Sequence, residues 1–152
     1  MADFHSELLA GSKVALITLG GTLAADAEST GDLDNTTNGW LEGYLVYVGG
    51  WDSVAPTAGA RAIDLYLMPG YDDSGATFPD ESSAGLPAGG TLIWSFVSQL
   101  AQTASQVMAG PPTPVRIPAE HSRWVISNVS GQTLATGGIL YLIPQKALMD
   151  EQ

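Results

Sequence analysis

The sequence predicts an all-β domain, an antiparallel sandwich or barrel, and three observations carry that prediction. From Lys13 onward, apolar segments of about five to ten residues alternate with clusters of Gly, Pro, Asp, Asn and Ser. Several of these segments also alternate apolar and polar residues with the period of two that a half-buried strand requires. Finally, 152 residues of 45% apolar composition suffice for one filled core, because a chain of this length buries roughly 70% of its unfolded surface. The expected organisation is an N-terminal arm over residues 1–12, a single β-sandwich domain over 13–146 and an acidic tail over 147–152.

Met1 to Lys13 carries Asp3 and Glu7 and has neither a basic segment nor a long apolar run, so a secretion signal is not expected. Ser6 is placed to cap a short helix over Glu7–Ala10 that Gly11 ends, with a fraying arm as the alternative. The first strand is Val14–Leu23, bent or bulged at Gly20-Gly21. Ala27–Asn38 is expected to be a polar loop, since its Asp, Asn, Ser and Thr side chains bond their own backbone.

Trp40–Val48 and Ala62–Met68 are rich in aromatic and β-branched residues and read as neighbouring strands. In the second, Ile63, Leu65 and Leu67 are assigned to the core, and Asp64 to solvent or a partner. Gly49–Ala60 is a linker. Pro69–Gly90 lacks periodicity and is long for a loop, a length that favours a functional or partner-ordered role. Thr91–Val97 and Thr103–Ala109 follow as strands, in preference to a helix over Ser95–Ala109 that would lack caps and charge pairs. Gly110–Pro114 is an extended connector set by three prolines. Arg123–Val129, Gln132–Thr136 and Ile139–Ile143 close the chain as a meander that ends at Pro144.

Charge excludes several partners. Five Lys and Arg against 16 Asp and Glu give a net charge of −11, so neither nucleic acid nor an anionic membrane surface is an expected partner. No apolar run approaches the ~20 residues of a membrane helix, so a soluble protein is expected. The absence of Cys removes disulfides, thiolate metal sites and Cys nucleophiles. The charge is also unevenly placed: six acids and no base lie between Lys13 and Arg61, five acids and no base between Arg61 and Arg116, and three bases against Glu120 within Arg116–Lys146. Docking of the basic C-terminal hairpin against an acidic loop, between copies or with a partner, is one reading, and local pairing of Arg116 and Arg123 with Glu120 the other.

Motifs for chemistry are missing. His5 and His121 stand far apart without a ligand or triad pattern. No nucleophile elbow, dinucleotide fingerprint or P-loop occurs. Asp32-Leu33-Asp34-Asn35 and Asp72-Asp73-Ser74 resemble pieces of calcium loops, but a loop begun at Asp32 would have Thr37 and Gly43 where it needs Gly and a carboxylate. Glu42, Asp64, Asp72 and Asp73 could in principle supply a glycosidase pair, although coincidence explains them better in so acidic a chain. Asn35-Thr36-Thr37 and Asn128-Val129-Ser130 are glycosylation sequons that matter only in a eukaryotic secretory route. No enzyme activity, cofactor or metal site is therefore assigned. The aromatic residues carry more: Trp40, Tyr44, Tyr47, Trp51, Tyr66 and Trp124, with Arg116 and Arg123, are the candidate interface residues, against ordinary core packing.

The segment Val115–Pro144, VRIPAEHSRWVISNVSGQTLATGGILYLIP, resembles the C-terminal part of a recurrent family of small tailed-bacteriophage virion proteins. There, an I/L-P-P/A start leads to an aromatic strand, an N-x-[ST]-G-Q-x-L-A turn and a last apolar strand. Leu33–Asn38, Ile63–Pro69 and Asp72–Asp80 match in order, while Gly75–Pro79 departs from the family's G-x-x-Y. The resemblance implies a capsid decoration or cement protein with a jelly-roll-like body and long loops. Its partners would be the major capsid protein and copies of itself as a homotrimer, and its place the capsid surface after a soluble stage in the host cytoplasm. The alternative is a tail or fibre module that binds carbohydrate or a receptor through Trp40, Trp51 and neighbouring tyrosines.

Overall fold

A computed structural model describes residues 8–10, 12–57, 59–70, 90–97, 108–109 and 112–147. These form ten strands: β1 Leu8–Ala10, β2 Val14–Thr18, β3 Glu28–Asp34, β4 Glu42–Gly49, β5 Arg61–Pro69, β6 Thr91–Val97, β7 Met108–Ala109, β8 Thr113–Arg116, β9 His121–Asn128 and β10 Ile139–Ala147. All pairings are antiparallel. In the first sheet β10 and β4 are central; β1 and β2 share the free edge of β10, and β7 and β8 share the free edge of β4. The second sheet has the order β3-β9-β5-β6.

The pairs β2–β10, β3–β9, β4–β8 and β5–β6 are nested, as in one long hairpin ribbon wound into two layers, with β10–β4 and β9–β5 joining its turns. That is the jelly roll. Ile17, Leu45, Tyr47, Leu140 and Leu142 from one sheet and Ile63, Leu65, Phe96, Trp124 and Ile126 from the other fill the space between the layers. Where the layers meet at β2 and β3, Gly31 is required: a Cβ there would collide with the Leu16 carbonyl oxygen. A register shift opposite Leu140/Tyr141 sets the two consecutive buried residues Leu16 and Ile17 in β2.

Several sequence expectations are corrected. Leu8–Ala10 is a strand on β10, not part of a helix, because the last residues of β10 offer it an edge; Ser6 lies outside the described residues. Glu28–Asp34 is a strand and not a loop. Its polarity is that of a sheet edge, where Glu28, Asp32 and Asp34 face solvent and Leu33 faces the core. β4 and β5 are not neighbours but lie in opposite sheets.

Asp64 does not face solvent: both faces of β5 are buried, and Asp64 pairs with Arg61 and accepts from the Ser95 hydroxyl at 2.8 Å. Tyr66, Met68 and Val125 form a second buried cluster on that face. Gln132–Thr136 is not a strand. β9 and β10 belong to different sheets, and the crossing between them is held by bridges from Leu134 to Leu23 and Trp51 and by backbone hydrogen bonds between Gly137, Gly138 and Leu19. Pro144 does not end β10; it falls between the β2 register, which stops at Leu142, and the β1 register, which begins at Gln145. Residues 71–89, most of Thr103–Ala109 and the tail beyond residue 147 lie outside the described residues.

Two buried asparagines fix the corners of the sandwich. Asn128 donates its amide to the carbonyls of Leu23 (3.0 Å), Ala24 (2.9 Å) and Gln132 (2.7 Å) and accepts from the Ser130 hydroxyl at 2.7 Å. Asn35 donates to the carbonyls of Trp40 (2.7 Å) and Pro118 (2.8 Å) and accepts from the Trp40 N–H at 3.0 Å. Each side chain replaces strand pairing where the backbone turns from one layer to the other, satisfying polar groups that burial would otherwise penalise. Both sequons, and the turn motif that carried the family resemblance, are therefore corner ties.

Candidate functional site

An antiparallel sheet packed on one side commonly turns polar side chains outward. The first sheet does not. The outward positions of β4 are Tyr44, Val46 and Val48, and those of β10 are Ile139, Tyr141 and Ile143; Tyr44 is 38% exposed and the other five are partly exposed. Their register sets them side by side, with Tyr44 opposite Ile143, Val46 opposite Tyr141 and Val48 opposite Ile139. The result is a continuous apolar platform across two adjacent strands. Contiguous exposed apolar surface of this kind marks an interaction site rather than ordinary surface.

Polar groups frame one end. Glu42 stands between Gln145 and Arg116 across three strands, and Tyr44 stands opposite Pro114. Together with Gly43 and Val115 they line an open depression of about 320 Å³. Leu41, 66% exposed, adjoins it, with its carbonyl accepting from the Ile117 N–H at 2.9 Å. Arg116 is exposed and makes no ion pair with a described residue. At the other border, the Lys13 ammonium lies 4.3 Å from the centre of the Tyr141 ring, a cation–π contact.

Of the eight candidate interface residues, Tyr44 and Arg116 meet at this end of the platform. The rest are elsewhere. Tyr47, Trp51 and Trp124 are core residues, and Tyr66 is buried on the outer face of the second sheet. Trp40 is half-buried and packs against the core. These five are corrected from interface to packing, because an aromatic ring is the largest apolar area a strand can bury. Burial pushes the Tyr47 hydroxyl far above its ordinary pKa. Its oxygen and the Trp51 indole nitrogen have no hydrogen-bond partner among the described residues.

Arg123 is held by Asp32 of β3, with Nε at 2.7 Å and Nη2 at 3.0 Å from its carboxylate oxygens. This ion pair is with Asp32 and not with Glu120. Asp34 accepts from the Thr36 hydroxyl at 2.6 Å and from its N–H at 2.9 Å, and these bonds hold its carboxyl below the ordinary range. His121 Nδ1 lies 4.0 Å from Asp34. Both aspartates of the calcium-like piece in β3 are thus engaged locally, and no cluster of three metal-ligating side chains occurs among the described residues.

The apolar platform was missed in sequence because Tyr141 and Ile143 were read only as part of a last apolar strand. Alternation in both β4 and β10 with apolar residues on both faces was the available signal.

No protein-family model matches the chain, and no curated protein matches it. Among solved structures, it is similar to the crystal structure of a Podospora anserina GH26-CBM35 β-(1,4)-mannanase, with a TM-score of 0.48 and 10% sequence identity over 94% of this chain and 27% of that chain. The chain therefore spans about a quarter of that protein, and a likeness of this degree carries no statement about what the chain binds. Fold and surface define a jelly-roll domain with one apolar outer face. Among the described residues no helix is long and apolar enough to cross a membrane.

Proposed function

We propose that this protein is a non-enzymatic virion component, a capsid decoration or cement protein that binds the major capsid protein lattice through the outer face of its first sheet. The platform of β4 and β10 carries the proposal: it is built into two central strands, so its position is rigid, and it offers apolar area with Arg116 and Glu42 at its border. Partner binding rewards that composition, an apolar centre with charge at the rim. The resemblance of Val115–Pro144 to small phage virion proteins supplies the partner and the capsid-surface location. In this reading Arg116 meets a carboxylate of the lattice.

The test is rebinding of purified protein to capsids assembled without it, scored by co-sedimentation. Tyr44→Ala and Arg116→Glu are expected to weaken binding while leaving thermal unfolding unchanged; unchanged binding by both variants refutes the assigned face. A second reading, carbohydrate binding, keeps one observation in its favour: the exposed Tyr44 ring lies in a depression with Glu42, Arg116 and Gln145. Its original residues do not serve, because Trp51 is buried and Trp40 packs inward. Binding to a glycan array that Tyr44→Ala abolishes would favour this second reading over the first.

A further inference from the structure

The chain has three asparagines, Asn35, Asn38 and Asn128. An asparagine deamidates when the backbone nitrogen of the next residue attacks its side-chain carbonyl, and glycine has no side chain to obstruct that approach. Asn35 precedes Thr36 and Asn128 precedes Val129, both branched at Cβ. Both of their amides are also buried and engaged in the corner ties. Asn38 instead precedes Gly39 in the turn between β3 and β4, where Gly39 is exposed. The turn imposes that pairing: Gly39 has φ +61°, in the left-handed region, with open space where a Cβ would stand.

The same turn engages both reacting groups. The Gly39 N–H donates to the Asn35 carbonyl at 3.1 Å, as the Asn38 N–H does at 3.2 Å. The Asn38 side-chain amide donates to the Asp34 carbonyl at 3.1 Å. The Asp34 carboxylate anchors the start of the turn by accepting from the Thr36 N–H and hydroxyl. We infer that Asn38 is a site of spontaneous deamidation gated by this corner, modified only when the turn opens. On opening, the Gly39 nitrogen gives up its proton and bonds to Asn38 Cγ, the Cγ–Nδ2 bond breaks, and ammonia leaves. Water then opens the cyclic imide at one carbonyl or the other, leaving aspartate or isoaspartate. Either product adds a negative charge and loses the amide donor to Asp34. Isoaspartate also lengthens the main chain by a carbon between Asn35 and Trp40, which bond each other across the turn. The chain then runs through Leu41 into Glu42, at the depression of the apolar face, so the modified corner lies at the border of that site. The inference does not depend on capsid binding.

Peptide mapping by mass spectrometry, on the full chain incubated at mildly alkaline pH, follows the conversion of each amide to a carboxyl. Asn38 is expected to convert ahead of Asn35 and Asn128, to a mixture of aspartate and isoaspartate. In concentrated urea the corner is lost, and conversion at Asn38 should run about tenfold or more faster than in the folded protein, since two hydrogen bonds at the reacting groups no longer have to open. Asp34→Ala, at an exposed position, removes the anchor on Thr36 and should move the folded rate toward the urea rate while the protein still melts cooperatively. Thr36→Val removes the hydroxyl part of that anchor, keeps the charge of Asp34, and should act in the same direction. Conversion at Asn35 or Asn128 before Asn38, equal rates in the folded protein and in urea, or folded Asp34→Ala and Thr36→Val proteins no faster than wild type would each overturn the inference.

Discussion

Replacing Asn128 by alanine tests the corner on which the two layers depend. Its side chain is fully buried and its amide serves three carbonyls with two N–H groups, while its oxygen accepts from the Ser130 N–H and hydroxyl. The carbonyls are not stranded by the change. Leu23 still accepts from the Leu134 N–H, Ala24 from the Ala27 N–H and Gln132 from the Ser130 hydroxyl. The loss is then about three net hydrogen bonds at roughly 1 kcal/mol each, or about 3 kcal/mol. For a domain of this size that lowers Tm by roughly 6–12 °C. Asn128→Asp should be worse than Asn128→Ala, since it aims carboxyl oxygen at the same carbonyls. Differential scanning calorimetry at neutral pH measures both. A Tm within about 2 °C of wild type for Asn128→Ala, or Asn128→Asp more stable than Asn128→Ala, would refute the corner-tie account.

Three further substitutions test packing and ionisation. Gly31→Ala should lower the urea midpoint by an amount equivalent to about 2–4 kcal/mol, because the Leu16 carbonyl it meets is backbone and cannot swing aside; an unchanged midpoint would mean the layers are not in contact there. Tyr47→Phe should stabilise by about 1 kcal/mol, since it removes a buried hydroxyl without a partner. The raised pKa of Tyr47 gives the sign at alkaline pH: its neutral form is favoured by folding, so stability is full below the unfolded value near 10.0 and falls as pH rises above it. Tyr47→Phe should flatten that alkaline loss in a pH series of unfolding curves. Asp34 has the opposite sign, its lowered pKa giving stability that is present above 3.8 and lost as pH falls below it; Thr36→Val, which removes the largest cause, should reduce the acid loss.

The sequence made the fold class legible, because strand alternation and turn residues survive any choice of topology: β4, β5, β6 and β9 are near their expected places. β3 was hidden by its function as an edge. Its charges protect it in the sheet and make it look like a loop in the sequence. Aromatic residues misled in the other direction. Tyr47, Trp51, Tyr66 and Trp124 have the composition of an interface and the positions of a core, and only the sheet register separates the two. Tyr44 was legible beside Glu42, two residues away on one strand, but nothing in one dimension placed Arg116 and Gln145 next to them, because they come from strands that pair with β4 over long separations.

Rebinding to capsids assembled without this protein tests the functional reading most directly. The account predicts saturable binding that weakens as ionic strength rises, because the Arg116 contact is screened, and that Arg116→Glu reduces at low salt. Absence of binding at both low and physiological ionic strength, by protein that melts cooperatively, would contradict it.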